Sequence, residues 1–161
     1  RELLKNSGFP GMKVLQFAFD KSENSDYLPH KYERNCVCYG GTHDNATIRE
    51  WLEDGDPDEI ALAREYFGIG NDEDFCMAVI RGGMASVADT IITQMQDYLG
   101  LGAEARTNVP GTVGDNWKWR MKAGAADGAI AKKILRMTKL YGRYDYSFDT
   151  GEKTTMEDVD D

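Results

Sequence analysis

Along this chain apolar residues arrive in short clusters separated by polar turns, and the spacing within each cluster separates strand from helix. Lys13 to Phe19 is compact, apolar and aromatic and follows Gly8-Phe-Pro-Gly11, which predicts a buried strand entered from a turn. Cys36 to Tyr39 predicts a second strand of the same kind, running into Gly40 and Gly41. From Asp56 the pattern changes period. An N-cap, a proline at the first helical position and an acidic first turn precede Ile60, Ala63, Tyr66 and Phe67 at helical spacing, and Gly68 closes that helix. A further helix is expected to begin near Asn71 or Asp72 and to run through Phe75, Ala78, Val79 and Met84, with Gly82 and Gly83 marking close packing against a neighbour. It leads into a third strand, Asp89 to Met95. A stretch rich in Gly, Asn and Pro then extends to about Gly124; an Asp127 cap opens a last helix with Ile130, Ile134, Met137 and Tyr141 on one stripe, ending at Gly142. Arg1-Glu-Leu-Leu-Lys5 reads as the middle of an amphipathic helix, which implies a segment upstream.

Strands separated by helical segments predict parallel pairing, because a parallel neighbour needs a long return path. The expected class is therefore α/β. Three such strands cannot close a barrel and leave two unpaired edges, open to docking onto further strands. The expected organisation is one domain over residues 1–145, followed by an acidic, solvated and mobile tail over 146–161 that ends in Glu157-Asp-Val-Asp-Asp161.

Charge narrows the partners. Nineteen basic against 28 acidic residues leave a formal charge of −9, so the average field repels phosphate backbones and anionic lipid surfaces, and neither nucleic acid nor a membrane is an expected partner. The three cysteines lack the paired spacing of a zinc site or redox dithiol; Cys36 and Cys38, two apart on a strand, are expected to be small core residues. A reducing, cytoplasmic setting fits this usage. No metal site and no cofactor are expected.

The sharpest chemical signal is Tyr39-Gly-Gly-Thr-His-Asp-Asn45, where a buried strand delivers His43 and Asp44 into the loop at its C-terminal end. In a parallel α/β barrel that end faces the active site. An imidazole beside a carboxylate suits acid–base chemistry, metal binding or hydrogen bonding to vicinal sugar hydroxyls. Asp44 could equally be a helix cap ahead of Ala46 to Trp51.

Eight motifs narrow the choice. Gly11 to Phe19, Tyr27-Leu-Pro-His30, Gly41-Thr-His-Asp-Asn45, Ala85 to Asp89, Gln96-Asp-Tyr-Leu-Gly-Leu-Gly102, Glu104-Ala-Arg106, Asn108-Val-Pro-Gly111 and Asn116-Trp-Lys-Trp-Arg120 follow one another in this chain. In that order they resemble the amylomaltases, or disproportionating enzymes, which are 4-α-glucanotransferases of glycoside hydrolase family 77. Tyr141-Gly-Arg143 fits the end of that family's last helix.

The resemblance implies a TIM (β/α)8 barrel of which this chain holds the C-terminal portion, about three βα units with strands six to eight. It implies transfer of α-1,4-glucan segments to the 4-hydroxyl of an acceptor glucose or glucan by a retaining mechanism, with maltooligosaccharides and α-1,4-glucans as ligands. The nucleophile and the acid/base would both precede Arg1, so the missing N-terminal part of the same barrel is the implied partner and this chain alone is expected to be inactive. Asp44 matches the family's transition-state stabiliser, and His43 and Asn108 match residues that hold the sugar. Trp117 and Trp119 could supply an aromatic face, although packing under the barrel rim is the plainer reading. Gln96 and Asp97 could act on the ligand or order their loop, Arg106 pairs with a nearby acid in the structural reading, and His30 is a weak candidate. Gly40 stands where the family more often carries threonine, and Ala46 where many members carry aspartate. Two alternatives are a noncatalytic glucan-binding module and an α-amylase-like glycoside hydrolase.

Overall fold

The computed structural model describes residues 2–21, 24–70 and 74–148. The chain falls into two compact units, Arg1–Met121 and Lys122–Asp161.

The first unit is built on a parallel sheet of β1 (Gly11–Val14), β2 (Cys36–Tyr39) and β3 (Thr90–Ile92) in the order β1-β2-β3. The register pairs Lys13 with Cys38 and Cys38 with Ile91, which fixes which side chains share a face. The helices of this unit are α1 (Glu2–Ser7), α2 (Ile48–Asp54), α3 (Pro57–Phe67), α4 (Phe75–Met84) and the short α5 (Met95–Tyr98). The α/β class and parallel pairing read from the sequence are what the chain adopts.

Cys38 and Ile91 lie on the face that α4 covers. A Cβ at Gly83 would stand 2.6 Å from Ile91 Cδ1 and 3.4 Å from Cys38 Sγ, and a Cβ at Gly82 would stand 2.1 Å from the Phe67 ring. The two glycines therefore let α4 lie directly on the sheet and on α3, as their spacing predicted. Beyond the sheet, Phe19 stacks on Trp51 at 5.9 Å and meets Tyr66 and Phe67 edge-on at 5.6 and 5.4 Å, joining the chain after β1 to α2 and α3. The other face carries Met12, Val14, Val37, Tyr39 and Ile92. Met12 remains 58% exposed and Ile92 46%, so this apolar face is incompletely covered by the described residues.

Local chemistry accounts for the helix ends. Asp56 accepts hydrogen bonds from Asp58 N and Glu59 N, Pro57 occupies the first turn, and Gly68 ends α3 at φ +65°. Asp74, rather than Asn71 or Asp72, caps α4 through Met77 N; residues 71–73 lie outside the described residues. Strands β1 and β3 are shorter than their apolar runs predicted. Leu15–Phe17 turn into a 3-10 helix closed by Ala18 N to Leu15 O at 3.0 Å, and within it the buried Gln16 side chain donates to Ala46 O. Leu15 and Phe19 keep their burial after this turn, so periodicity alone could not place the strand's end. At β3 the strand stops at Ile92, and Gln94 takes the N-cap position of α5 without a side-chain capping bond.

In the second unit, Asp127 caps α6 (Gly128–Leu140) through Ile130 N, and Gly142 at φ +65° ends the element, both as expected. Tyr146–Phe148 form a 3-10 turn, while the remainder of the expected acidic tail, from residue 149 on, lies outside the described residues. Among the described residues no helix is long and apolar enough to cross a membrane.

Candidate functional site

The loop after β2 is shaped by its own side chains before any long-range contact is counted. Asn45 Oδ1 accepts from Thr42 N at 2.9 Å and Thr42 Oγ1 at 2.7 Å, Asn45 N donates to Thr42 O, and Asp44 N donates to Thr42 Oγ1. This closed turn leaves the His43 and Asp44 side chains about half exposed at the C-terminal end of the sheet. Neighbouring elements then pin the loop's backbone. Gln94 Nε2 donates to Gly41 O and Thr42 O, and Gln16 Nε2 to Ala46 O.

Asp44 does not cap the helix that follows. Thr47 does, in a reciprocal capping box with Glu50: Thr47 Oγ1 accepts from Glu50 N at 3.1 Å, and Glu50 Oε2 from Thr47 N at 3.3 Å. The pattern Thr-Ile-Arg-Glu is the sequence signature of that box and could have removed the capping alternative for Asp44. Relieved of that task, Asp44 Oδ1 accepts from Asn108 Nδ2 at 2.6 Å and lies 3.3 Å from His43 Nε2. The three residues singled out from sequence therefore meet, although Asn108 lies 64 positions beyond Asp44.

Trp117 completes one flank. Its ring centroid is 5.0 Å from that of His43, and the side chain is 56% exposed. Its backbone sits at φ +64°, the one non-glycine residue so placed among those described, and Trp117 N donates to Thr107 O at 2.7 Å. Such a backbone persists only where surrounding bonds hold it, and it is concentrated at binding sites. Trp119 is half-buried.

The other candidates separate cleanly. Gln96 is buried and donates to Ala105 O and Thr107 Oγ1, which orders the loop carrying Asn108. Asp97 is 1% exposed; its Oδ1 accepts from Ile48 N at 2.8 Å, while Oδ2 is a buried oxygen without a hydrogen-bond partner among the described residues. Burial pushes its carboxyl up to about 6, an effect only partly opposed by the Ile48 N–H. Neither residue reaches the open cluster. His30 is engaged with Tyr66, its Nδ1 lying 3.0 Å from the phenolic oxygen. Burial pushes the Cys76 thiol up to about 12, which disfavours the thiolate. Among the described residues no group of three or more His, Cys, Asp or Glu side chains could hold a metal ion.

What sequence reading missed is the support. Gln16 and Gln94 anchor carbonyls of the loop, and Glu50 serves both as cap and as ion-pair partner of Arg106 at 3.0 Å. Glutamines that follow apolar strand residues are the available signal. The acid that Arg106 pairs with lies 56 positions away and has no local signature.

An open carboxylate flanked by imidazole, primary amide and indole has the donors, acceptors and apolar face that a sugar ring requires. Comparison with known proteins points the same way. The family model for 4-alpha-glucanotransferase matches residues 1–126. The 4-alpha-glucanotransferase of Clostridium butyricum is 50% identical over 143 residues, covering 88% of this chain and 29% of the relative. A chloroplastic/amyloplastic 4-alpha-glucanotransferase of Arabidopsis thaliana is 42% identical over 145 residues, covering 88% of this chain and 25% of the relative. An amylomaltase from Streptococcus agalactiae in complex with acarbose superposes with a TM-score of 0.85 at 39% identity, over 89% of this chain and 29% of that one. The chain thus spans between a quarter and a third of the length of these relatives.

Proposed function

This chain belongs to the 4-alpha-glucanotransferase family, and on that basis we propose that it is one part of a glucan-transferring enzyme. In this reading β1, β2 and β3 are the sixth, seventh and eighth strands of a (β/α)8 barrel. The half-covered apolar face of the sheet, with Met12 and Ile92 exposed, is then the barrel interior. The edges of β1 and β3 take up the strands of the missing N-terminal part of the same barrel.

The reaction is a double displacement. A carboxylate from the preceding segment attacks C1 of the donor glucose; the C1–O bond to the leaving glucan breaks, and that oxygen takes its proton from a second carboxyl group of the same segment. The 4-hydroxyl of an acceptor then attacks C1, returns its proton to that second group and releases the first carboxylate. Both steps pass through an oxocarbenium-like state whose ring hydroxyls are held more tightly than in the ground state. Asp44 is the group that tightens, and His43 and Asn108 hold the same sugar and its neighbour. Transfer prevails over hydrolysis when a bound acceptor hydroxyl is better oriented than water.

One observation carries this reading: Asp44, His43 and Asn108 converge in an open, solvent-reaching cluster at the C-terminal end of β2. The acarbose-bound amylomaltase among the structural neighbours supports maltooligosaccharides and α-1,4-glucans as ligands. The net charge of −9 supports neither nucleic acid nor membrane as a partner, and the buried cysteines suit a reducing, cytoplasmic setting.

A disproportionation assay on maltotriose tests the proposal. The natural full-length polypeptide containing these residues should redistribute chain lengths without accumulating hydrolysis products, and the 161-residue chain alone should not turn over. Transfer conserves the number of reducing ends even though glucose leaves as a product, so robust turnover by the chain alone, or a net gain in reducing ends in place of redistribution, overturns it.

A further inference from the structure

Arg106 occupies a place where three segments of the site meet. Its Nε donates to Asn108 O, one terminal nitrogen to Glu50 Oε1 and the other to the backbone oxygen of Asp44, each at 3.0 Å. A guanidinium is a rigid planar fork, so occupying its three nitrogens with three acceptors fixes their mutual positions. The acceptors belong to the Asn108 loop, to the first turn of α2 and to the loop after β2. Gln96 secures the chain on both sides of Arg106, through Ala105 O and Thr107 Oγ1. Glu50 is held in turn by its capping box with Thr47.

We propose that Arg106 is a positioning residue that sets the spacing between the Asp44 carboxylate and the Asn108 amide, and so the shape of the pocket for the distorted sugar. It touches no sugar itself. Its side chain is 23% exposed and each of its three nitrogens donates to a protein acceptor. The geometry that results is the 2.6 Å contact between Asp44 and Asn108, made by side chains that are otherwise open to water. A lysine keeps the charge beside Glu50 but is a point donor that cannot span three acceptors in one plane. The proposal rests on the glucan-transfer reading, since it assigns Arg106 a role in that same site.

The test uses the natural full-length polypeptide. Arg106→Ala and Arg106→Lys should each lower kcat for disproportionation about 10- to 100-fold, with KM for the donor changed less than about threefold, because what is lost is an arrangement needed in the transition state. Guanidinium ion at millimolar concentration should restore part of the activity of Arg106→Ala and none of that of Arg106→Lys. Arg106→Ala should also cost less in an Asn108→Ala background than alone, as expected for residues acting through one another. Arg49→Ala, which removes the surface pair with Glu53, should leave activity unchanged. If Arg106→Ala does not fold, Arg106→Lys carries the test. Activity of both Arg106 variants within twofold of the unsubstituted enzyme, or equal losses in the two backgrounds, overturns the proposal. Should the unsubstituted polypeptide show no glucan transfer, the functional reading fails instead. The clamp is then judged by NMR of the labelled protein: Asn108 side-chain amide resonances that move on Arg106→Lys support it, and unmoved ones overturn it.

Discussion

Two aspartates, Asp44 and Asp97, each follow the C-terminal end of a neighbouring strand of the sheet, yet they occupy opposite environments. Asp44 is half exposed and shares its Oδ1 with a primary amide and an imidazole. Asp97 is sealed at 1% exposure, with one oxygen on the Ile48 N–H and the other without a partner among the described residues. Position at a strand end therefore does not assign a role; access and the nature of the partners do. The open carboxylate can exchange its contacts for those of a ligand. The sealed one ties the first turn of α2 to α5 and holds from beneath the loop on which the open one stands.

The largest effect that would sharpen this contrast comes from Asp44. Asp44→Asn in the natural full-length polypeptide is expected to lower kcat by on the order of 10²- to 10³-fold, as for removal of one preorganised electrostatic group, with little change in melting temperature. A loss of stability with retained activity would reverse the assignment of the two aspartates.

Asp97 should behave oppositely, moving stability and its pH dependence. Its folded-state pKa is raised, so the folded protein holds the proton more tightly than the unfolded chain. Stability is then greatest below the unfolded pKa near 4, falls as pH rises toward about 6, and is flat above. The span corresponds to roughly 3 kcal/mol at full ionisation. Asp97→Asn keeps an acceptor for Ile48 N–H and carries no charge, so it should abolish this slope and raise the melting temperature at pH 7.5; thermal melts from pH 4 to 8 read both. A smaller effect is expected from the packing between helix and sheet that supports the two loops. Gly83→Ala would press a methyl group to 2.6 Å from Ile91 Cδ1 and should cost about 1–3 kcal/mol in a urea titration, leaving the pH slope in place.

Much of this organisation was legible in the residues. β2 matched its apolar run because glycines follow it at once, and α3 and α6 matched because cap, proline and glycine signals are local chemistry. The end of β1 was not legible, since Leu15 and Phe19 stay buried beyond the strand and an apolar run does not record where the backbone turns. At the site, His43 and Asp44 were legible as an imidazole beside a carboxylate at a strand end, while their roles, and Asn108, came from motif resemblance. Their convergence, and the partnership of Arg106 with Glu50, depend on contacts between positions more than fifty residues apart, which no local pattern encodes.

The left-handed backbone of Trp117 has a practical consequence. It holds an indole in water beside His43, while Trp51 is 6% exposed in the aromatic core. Of these two indoles Trp117 is the one open to solvent, so a ligand that covers His43 is expected to shift its emission, which a fluorescence titration would read.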